Sequence, residues 1–222
     1  MQTTKEHILA YLKQAGVATV DGLATELGLA RMTIRQHLTV LERDALVQSR
    51  EERRSKGRPR LVFTLTEGGQ ERFPKQYERL ADLVLQEVAF LDPEDLAGLD
   101  GDGKKRLLLQ KMAERVYREH ESKVKDRPLP ERVAIVTDIL KDEGGFADWS
   151  AGPDGYEIAD HNCVYRRVVD AHPDICTWHV SLLARLLDSD VECSEFMRNG
   201  ADACRFVVRR EGTAQVETKG QK

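Results

Sequence analysis

Hydrophobic residues return at helical spacing in three short runs at the start of the chain. Ile8, Leu9, Leu12 and Ala15 predict a first helix over 4–15, ended by Gly16. Thr19 is placed to cap a second helix, with Asp21 in its first turn near the positive dipole end. Leu23, Ala24 and Leu27 form its apolar stripe, and Gly28-Leu29 makes the turn that follows. A third helix is expected over 30–43, with Ile34, Leu38 and Leu41 facing inward. Its start is uncapped, because Ala30 stands where Ser or Thr would accept a backbone hydrogen bond, at a cost of about 1 kcal/mol. A short helix, a tight glycine turn and a second helix make a helix-turn-helix plan.

The period then changes. Two β-type segments, Leu46–Arg50 and Leu61–Thr66, flank a basic loop in which Gly57 and Pro59 shape a tip, so they read as a hairpin. A hairpin directly after such a helix is a wing. Phe73, Tyr77, Leu80, Leu83, Val84, Glu87, Val88 and Leu91 predict one long helix over 71–91, read as a dimer seam. Asp92-Pro93 and the glycine-rich stretch Gly98–Gly103 interrupt the pattern, and a further helix is expected over 103–122. Pro128-Leu129-Pro130 opens a new unit. A helix over 130–142 is followed by a hairpin turned at Pro153-Asp154-Gly155, a helix through Val168 and Val169, and a helix from Pro173 to Leu187. A second hairpin, turned by Asn199-Gly200, closes the unit. The expected class is α+β. A winged helix-turn-helix occupies 1–70, a helical linker and dimerisation region 71–127, a small α+β cysteine domain 128–212, and a flexible tail 213–222.

Charge sharpens the reading of the front. The 222-residue chain has a formal net charge of −4. Yet residues 1–72 hold 12 Lys and Arg against 9 Asp and Glu, and Arg50–Arg60 alone holds six bases against two acids. Such a local patch is what a phosphate backbone responds to. On the outer face of the third helix lie Met32, Arg35, Gln36, Thr39 and Arg43, opposite the apolar stripe. Arginine can take guanine and glutamine adenine, each through two hydrogen bonds. Arg31 and Thr33 suit phosphates, and Arg53, Arg54, Lys56, Arg58 and Arg60 can reach a minor groove or flanking phosphates. Double-stranded DNA is the expected partner. No apolar run approaches the roughly 18 residues of a membrane span, which argues against a membrane and for the cytoplasm. No nucleotide-binding glycine loop or nucleophile–base arrangement suggests an enzyme or an organic substrate.

All four cysteines, Cys163, Cys176, Cys193 and Cys204, fall in the last third. In a reducing compartment such thiols favour metal or redox chemistry over structural disulfides. No CxxC pair is present, which argues against a zinc ribbon or a thioredoxin-like site. Two cysteines flank a helical segment and two sit in a hairpin, an arrangement suited to surrounding a cluster rather than clasping one ion. With Pro173 expected at the first helical position, Cys176 falls in the first turn, where backbone N–H groups favour a thiolate.

The strings GLARMTIRQHLTVLERDALV and KGRPRLVFTLTEGG closely resemble the winged helix-turn-helix of bacterial repressors. With HNCVYRRVVDAHPDIC and GADACRFVV, the chain is similar over nearly its whole length to the Suf-operon repressor family, winged-helix regulators of iron–sulfur cluster assembly genes. The resemblance implies an iron–sulfur cluster, [4Fe–4S] favoured over [2Fe–2S], with Cys163, Cys176 and Cys204 as matched ligands. It also implies a homodimer on a two-fold symmetric operator, released when the cluster is lost or oxidised. Cys193 departs from the family spacing but is the first choice for fourth ligand, ahead of His179 and then His161. The alternative is a repressor responding to zinc or to a small ligand.

Overall fold

A computed structural model describes residues 3–53 and 59–209. Three helices open the fold: α1 (Thr4–Ala15), α2 (Val20–Leu27) and α3 (Arg31–Arg43). Each start and stop has a local cause. Thr3 and Glu6 form a reciprocal capping box on α1, and Thr19 accepts from the Gly22 N–H on α2. Gly28, at φ 63°, ends α2 in the left-handed region that other residues enter at a cost. α3 begins at Ala30 without a side-chain cap, as the sequence predicts.

Strands β1 (Val47–Glu52) and β2 (Arg60–Leu65) pair antiparallel from Val47↔Leu65 to Glu52↔Arg60. Ala18 adds a bridge to Phe63, with mutual backbone hydrogen bonds of 3.0 and 2.8 Å that tie the α1–α2 loop to the wing. Ile8, Leu12, Leu23, Ile34, Leu38, Leu41 and Phe63 form one buried core. The class is α+β with a winged helix-turn-helix at its N-terminal end.

The expected helix over 71–91 begins later and ends sooner, at Tyr77 and Ala89. A short α4 (Glu67–Gln70) is followed by a break, and α5 runs Tyr77–Ala89. Pro74 explains the break: it lacks an N–H, and it disfavours helical backbone at Phe73 before it. Phe73 therefore leaves the α5 stripe and packs edge-on against Phe146, with ring centroids 5.2 Å apart. Gly69 is obligatory in α4, since a Cβ there would lie 2.0 Å from the Leu46 carbonyl oxygen. After the single turn α6 (Pro93–Leu96), α7 runs Gly101–Val124, longer than expected at both ends. Asp100 caps it by accepting from the Gly103 N–H at 2.7 Å.

The rest comprises α8 (Leu129–Asp142), β3 (Ala147–Ala151), β4 (Gly155–Asp160), α9 (Arg166–Ala171), α10 (Asp174–Leu187), β5 (Val191–Glu195) and β6 (Cys204–Arg209). The two expected hairpins merge into one antiparallel sheet ordered β3-β4-β6-β5. α8 and α10 pack on this sheet, and α7 packs on α10. Leu80 and Leu83 of α5, Met112 and Val116 of α7, Val133 and Val136 of α8, Leu183 and Leu187 of α10, and Phe206 and Val208 of β6 share one core. The expected 71–127 linker is therefore not a separate layer: its helices α5 and α7 bury the same apolar face as the cysteine unit. On the other side of α5, Leu85 and Val88 are exposed, and so is Phe90 just past its end, where the Arg115 guanidinium of α7 lies 5.7 Å from the ring centroid. The expected tail 213–222 lies outside the described residues.

Candidate functional site

Two groups of residues carry candidate chemistry. The first is the outer surface of α3. Ile34, Leu38 and Leu41 are turned fully inward, which leaves Met32, Arg35, Gln36, Thr39 and Arg43 exposed on one side. Thr39 spends its hydroxyl on the Arg35 carbonyl (2.9 Å), while Arg35 and Gln36 project freely enough to meet a groove. Arg31 is engaged with Asp21 of α2 at 2.9 Å, a highly exposed pair that a phosphate can displace. Thr33 is half-buried. On the wing, Arg53 and Arg60 are exposed, and Arg60 hydrogen-bonds Glu52 across the strand pair. Arg60 and Leu61 face Arg35 and Thr39 across a cleft between β2 and α3. Arg54, Lys56 and Arg58 lie outside the described residues.

The second group is the thiols. Cys163 lies between β4 and α9, Cys176 in the first turn of α10 and Cys204 at the start of β6, and the three line one pocket. The pocket is a cavity of about 40 Å³ that opens to solvent, and its walls include Asp160, Asn162, His179, Phe196 and Phe206. Cys193 is outside this lining. It approaches from β5, where its thiol lies 3.0 Å from the Glu195 carbonyl oxygen. His179 stands in the pocket wall, edge-on to Phe206, and burial holds its imidazole down to about 4, hence neutral. His161 turns away toward Asp148 (3.9 Å). Among the described residues, no three His, Cys, Asp or Glu side chains close around one ion position.

Electrostatics explains the resting state of these thiols. Burial pushes Cys163 and Cys176 up to about 11, and neighbouring thiols push the same way. The neighbouring Cys193 thiol and then burial push Cys204 up, while the Cys204 thiol pulls Cys193 down. The expectation of a helix-stabilised thiolate at Cys176 is corrected here. Pro173 is the N-cap rather than the first helical residue, its carbonyl accepts the Cys176 N–H at 2.9 Å, and desolvation prevails. Crowded neutral thiols such as these ionise readily only against a positive centre.

A buried polar seam, not foreseen from the sequence, joins the pocket to the winged module. Asn162 is 1% exposed and precedes Cys163. Its Nδ2 donates to the carbonyls of Gly144 (2.7 Å) and Pro74 (3.0 Å), and its Oδ1 accepts from Lys75 Nζ (3.2 Å). Lys75 also donates to the Gln70 and Phe73 carbonyls at 2.9 and 3.2 Å. Asp160 accepts from the N–H groups of Phe146 (2.9 Å) and Asn162 (3.0 Å). Lys13 of α1 is 3% exposed, donates to the Gln70 side chain and lies 5.1 Å from the Phe73 ring centroid. Burial pulls its ammonium down to about 7. One signal was available: Lys13 falls four residues after Leu9, on the apolar stripe of its helix.

Residues 5–49 match the DeoR-like helix-turn-helix domain. No curated protein matches the chain. Among solved structures, a MarR family transcriptional regulator from Silicibacter pomeroyi is 20% identical over 55% of this chain and 72% of its own, with a TM-score of 0.28. A ZitR variant from Lactococcus lactis in apo form is 17% identical over 52% and 80%, with a TM-score of 0.26. Bacillus subtilis PadR in complex with operator DNA is 16% identical over 85% and 89%, with a TM-score of 0.29. No helix among the described residues is long and apolar enough to cross a membrane. The helix-turn-helix match, together with the wing that follows it, supports a DNA-binding winged-helix transcriptional regulator.

Proposed function

We propose that this protein is a cytoplasmic, homodimeric repressor whose grip on a two-fold symmetric operator depends on an iron–sulfur cluster, and that the operator controls cluster-assembly genes. The observation carrying this reading is the shared pocket of Cys163, Cys176 and Cys204, whose loop is stapled by Asn162 to the segment after the wing. The donor set fits the group: soft thiols suit iron, and cysteines from three separate elements suit a polynuclear centre better than one small ion. When bound, the cluster supplies a positive, oxidisable centre that holds ionised thiolates together. Cys163, Cys176 and Cys204 bind, with Cys193 or the neutral His179 beside them as fourth donor. Phe196 and Phe206 restrict water. The Asp160–Asn162 turn passes any shift of Cys163 to residues 70–75, and so to α1 and the wing. Arg35 and Gln36 read base edges, and the wing arginines hold phosphates. The exposed Leu85, Val88 and Phe90 supply the apolar face for a second copy.

The apolar wall of the pocket, with Val169, Ile175, Phe196 and Phe206, favours a small organic effector as the second reading. Anaerobic purification of the full chain, with iron and acid-labile sulfide counting, separates the two. It is followed by gel shifts on DNA upstream of cluster-assembly genes, before and after air. The expected result is a coloured protein containing both elements, whose DNA binding weakens in air. A colourless, sulfide-free protein whose DNA binding is unchanged by Cys163→Ser and Cys176→Ser overturns the cluster reading.

A further inference from the structure

Cys193 is the one thiol that the pocket itself does not account for. It sits on β5, the edge strand of the sheet, where solvent reaches it. In the β5–β6 register Cys193 stands opposite Phe206, and Cys204 is two residues from Phe206 on the same strand. Side chains two apart share a face, so both thiols project from one side of the sheet as a diagonal cross-strand pair. The register slips between Cys193 and Glu195, a bulge that increases the local twist beside the pair. The Cys193 thiol meets the Glu195 carbonyl at 3.0 Å, the Cys204 sulfur accepts the Met197 N–H at 3.5 Å, and neither cysteine is in a disulfide. Cys204 lines the pocket, whereas Cys193 does not, and both pack against the same core.

We propose that Cys193 and Cys204 form a peroxide-responsive dithiol, which closes to a disulfide in the cluster-free protein and withdraws Cys204 from the pocket's donors. The chemistry balances. The Cys193 sulfur attacks hydrogen peroxide, the O–O bond breaks, and a sulfenic acid forms with loss of water overall. The Cys204 sulfur then attacks the Cys193 sulfur, an S–S bond forms, and the sulfenic oxygen leaves as a second water. Two thiols are oxidised and one peroxide is reduced. The consequence for sensing rests on the cluster reading above, whereas the disulfide itself does not. An oxidised sensor would stay unloaded, even with iron and sulfide at hand, until a thiol reductant reopened the pair.

The four cysteines fall in four different tryptic peptides: 142–166, 168–185, 186–198 and 199–205. Cluster-free full-length protein is treated with hydrogen peroxide, alkylated with N-ethylmaleimide and digested without reduction. The expected product is peptide 186–198 linked to 199–205, released by dithiothreitol and missing from Cys193→Ser. Recovery of 199–205 linked to either of the other peptides, or of both peptides alkylated, overturns the proposal. Anaerobic loading with iron and sulfide is measured alongside, before oxidation, after it and after reduction. Loading lost on oxidation and recovered with dithiothreitol supports the withdrawal of Cys204, and loading unchanged by the disulfide overturns that part. A reduced protein that never loads, yet forms the link, sinks the cluster reading and leaves the dithiol standing.

Discussion

Asn162 illustrates how much one buried amide can hold. Its side chain satisfies two carbonyls from distant loops and one lysine ammonium, with almost no access to water. Asn162→Leu takes the amide donor from the Pro74 and Gly144 carbonyls, at roughly 1–3 kcal/mol for each unsatisfied group, while Lys75 keeps the Gln70 and Phe73 carbonyls. A drop of about 2–5 kcal/mol in unfolding free energy is expected, read from urea midpoints, and an unchanged midpoint would contradict the seam. Lys13 makes a second prediction at this scale. Its folded-state value of about 7 lies below the usual 10.5, so between those values the unfolded chain binds more protons and stability rises with pH. The parent protein should therefore gain on Lys13→Met as pH increases from 7 toward 10.5, in parallel urea titrations.

At the scale of elements, the glycine after the wing and the glycine inside the helix-turn-helix make a useful contrast. Gly69→Ala drives a methyl into the Leu46 carbonyl, so the packing of α4 against the strand entrance must shift. Gly28→Ala meets nothing within 4 Å and bears only the left-handed backbone cost, about 1 kcal/mol. Thermal unfolding should rank Gly69→Ala well below Gly28→Ala. On α3, Gln36→Ala and Arg35→Ala should each lose about 1–3 kcal/mol of specific DNA binding while leaving the melting temperature in place, since both side chains are exposed. The local elements were readable because periodicity, caps and breakers act over a few residues. Thr19, Gly28, Asp100 and the Pro153–Gly155 turn are such signals. The helix over 71–91 was misread because its aromatic and aliphatic spacing ran straight through Pro74, whose steric veto outweighs periodicity.

Across the whole molecule, apolar surface has two fates. α5 buries Leu80 and Leu83 within the chain and presents Leu85 and Val88 outward, with Phe90 exposed just past its end. If that outward face makes the dimer, Leu85→Asp combined with Phe90→Asp converts dimer to monomer in sedimentation and weakens operator binding, with the helical content intact. What the sequence could not convey lies at this scale. It contained no local sign that two hairpins share one sheet, that α7 belongs to the cysteine core, or that Lys13 would meet Asn162's neighbours, since these depend on long-range packing. The convergence of Cys163, Cys176 and Cys204 on one pocket is likewise a property of the sheet and α10 together.

The order of the elements along the chain sets a timetable for synthesis. The helix-turn-helix and its wing are complete once β2 has formed, whereas Cys204 opens the last of the described strands. A growing chain emerges N-terminal end first, so its head folds while the chamber behind it still lacks a wall. The thiol pocket cannot close before Cys204 has been made, and a chain truncated before β6 would keep the helix-turn-helix and the wing while lacking one wall of that pocket.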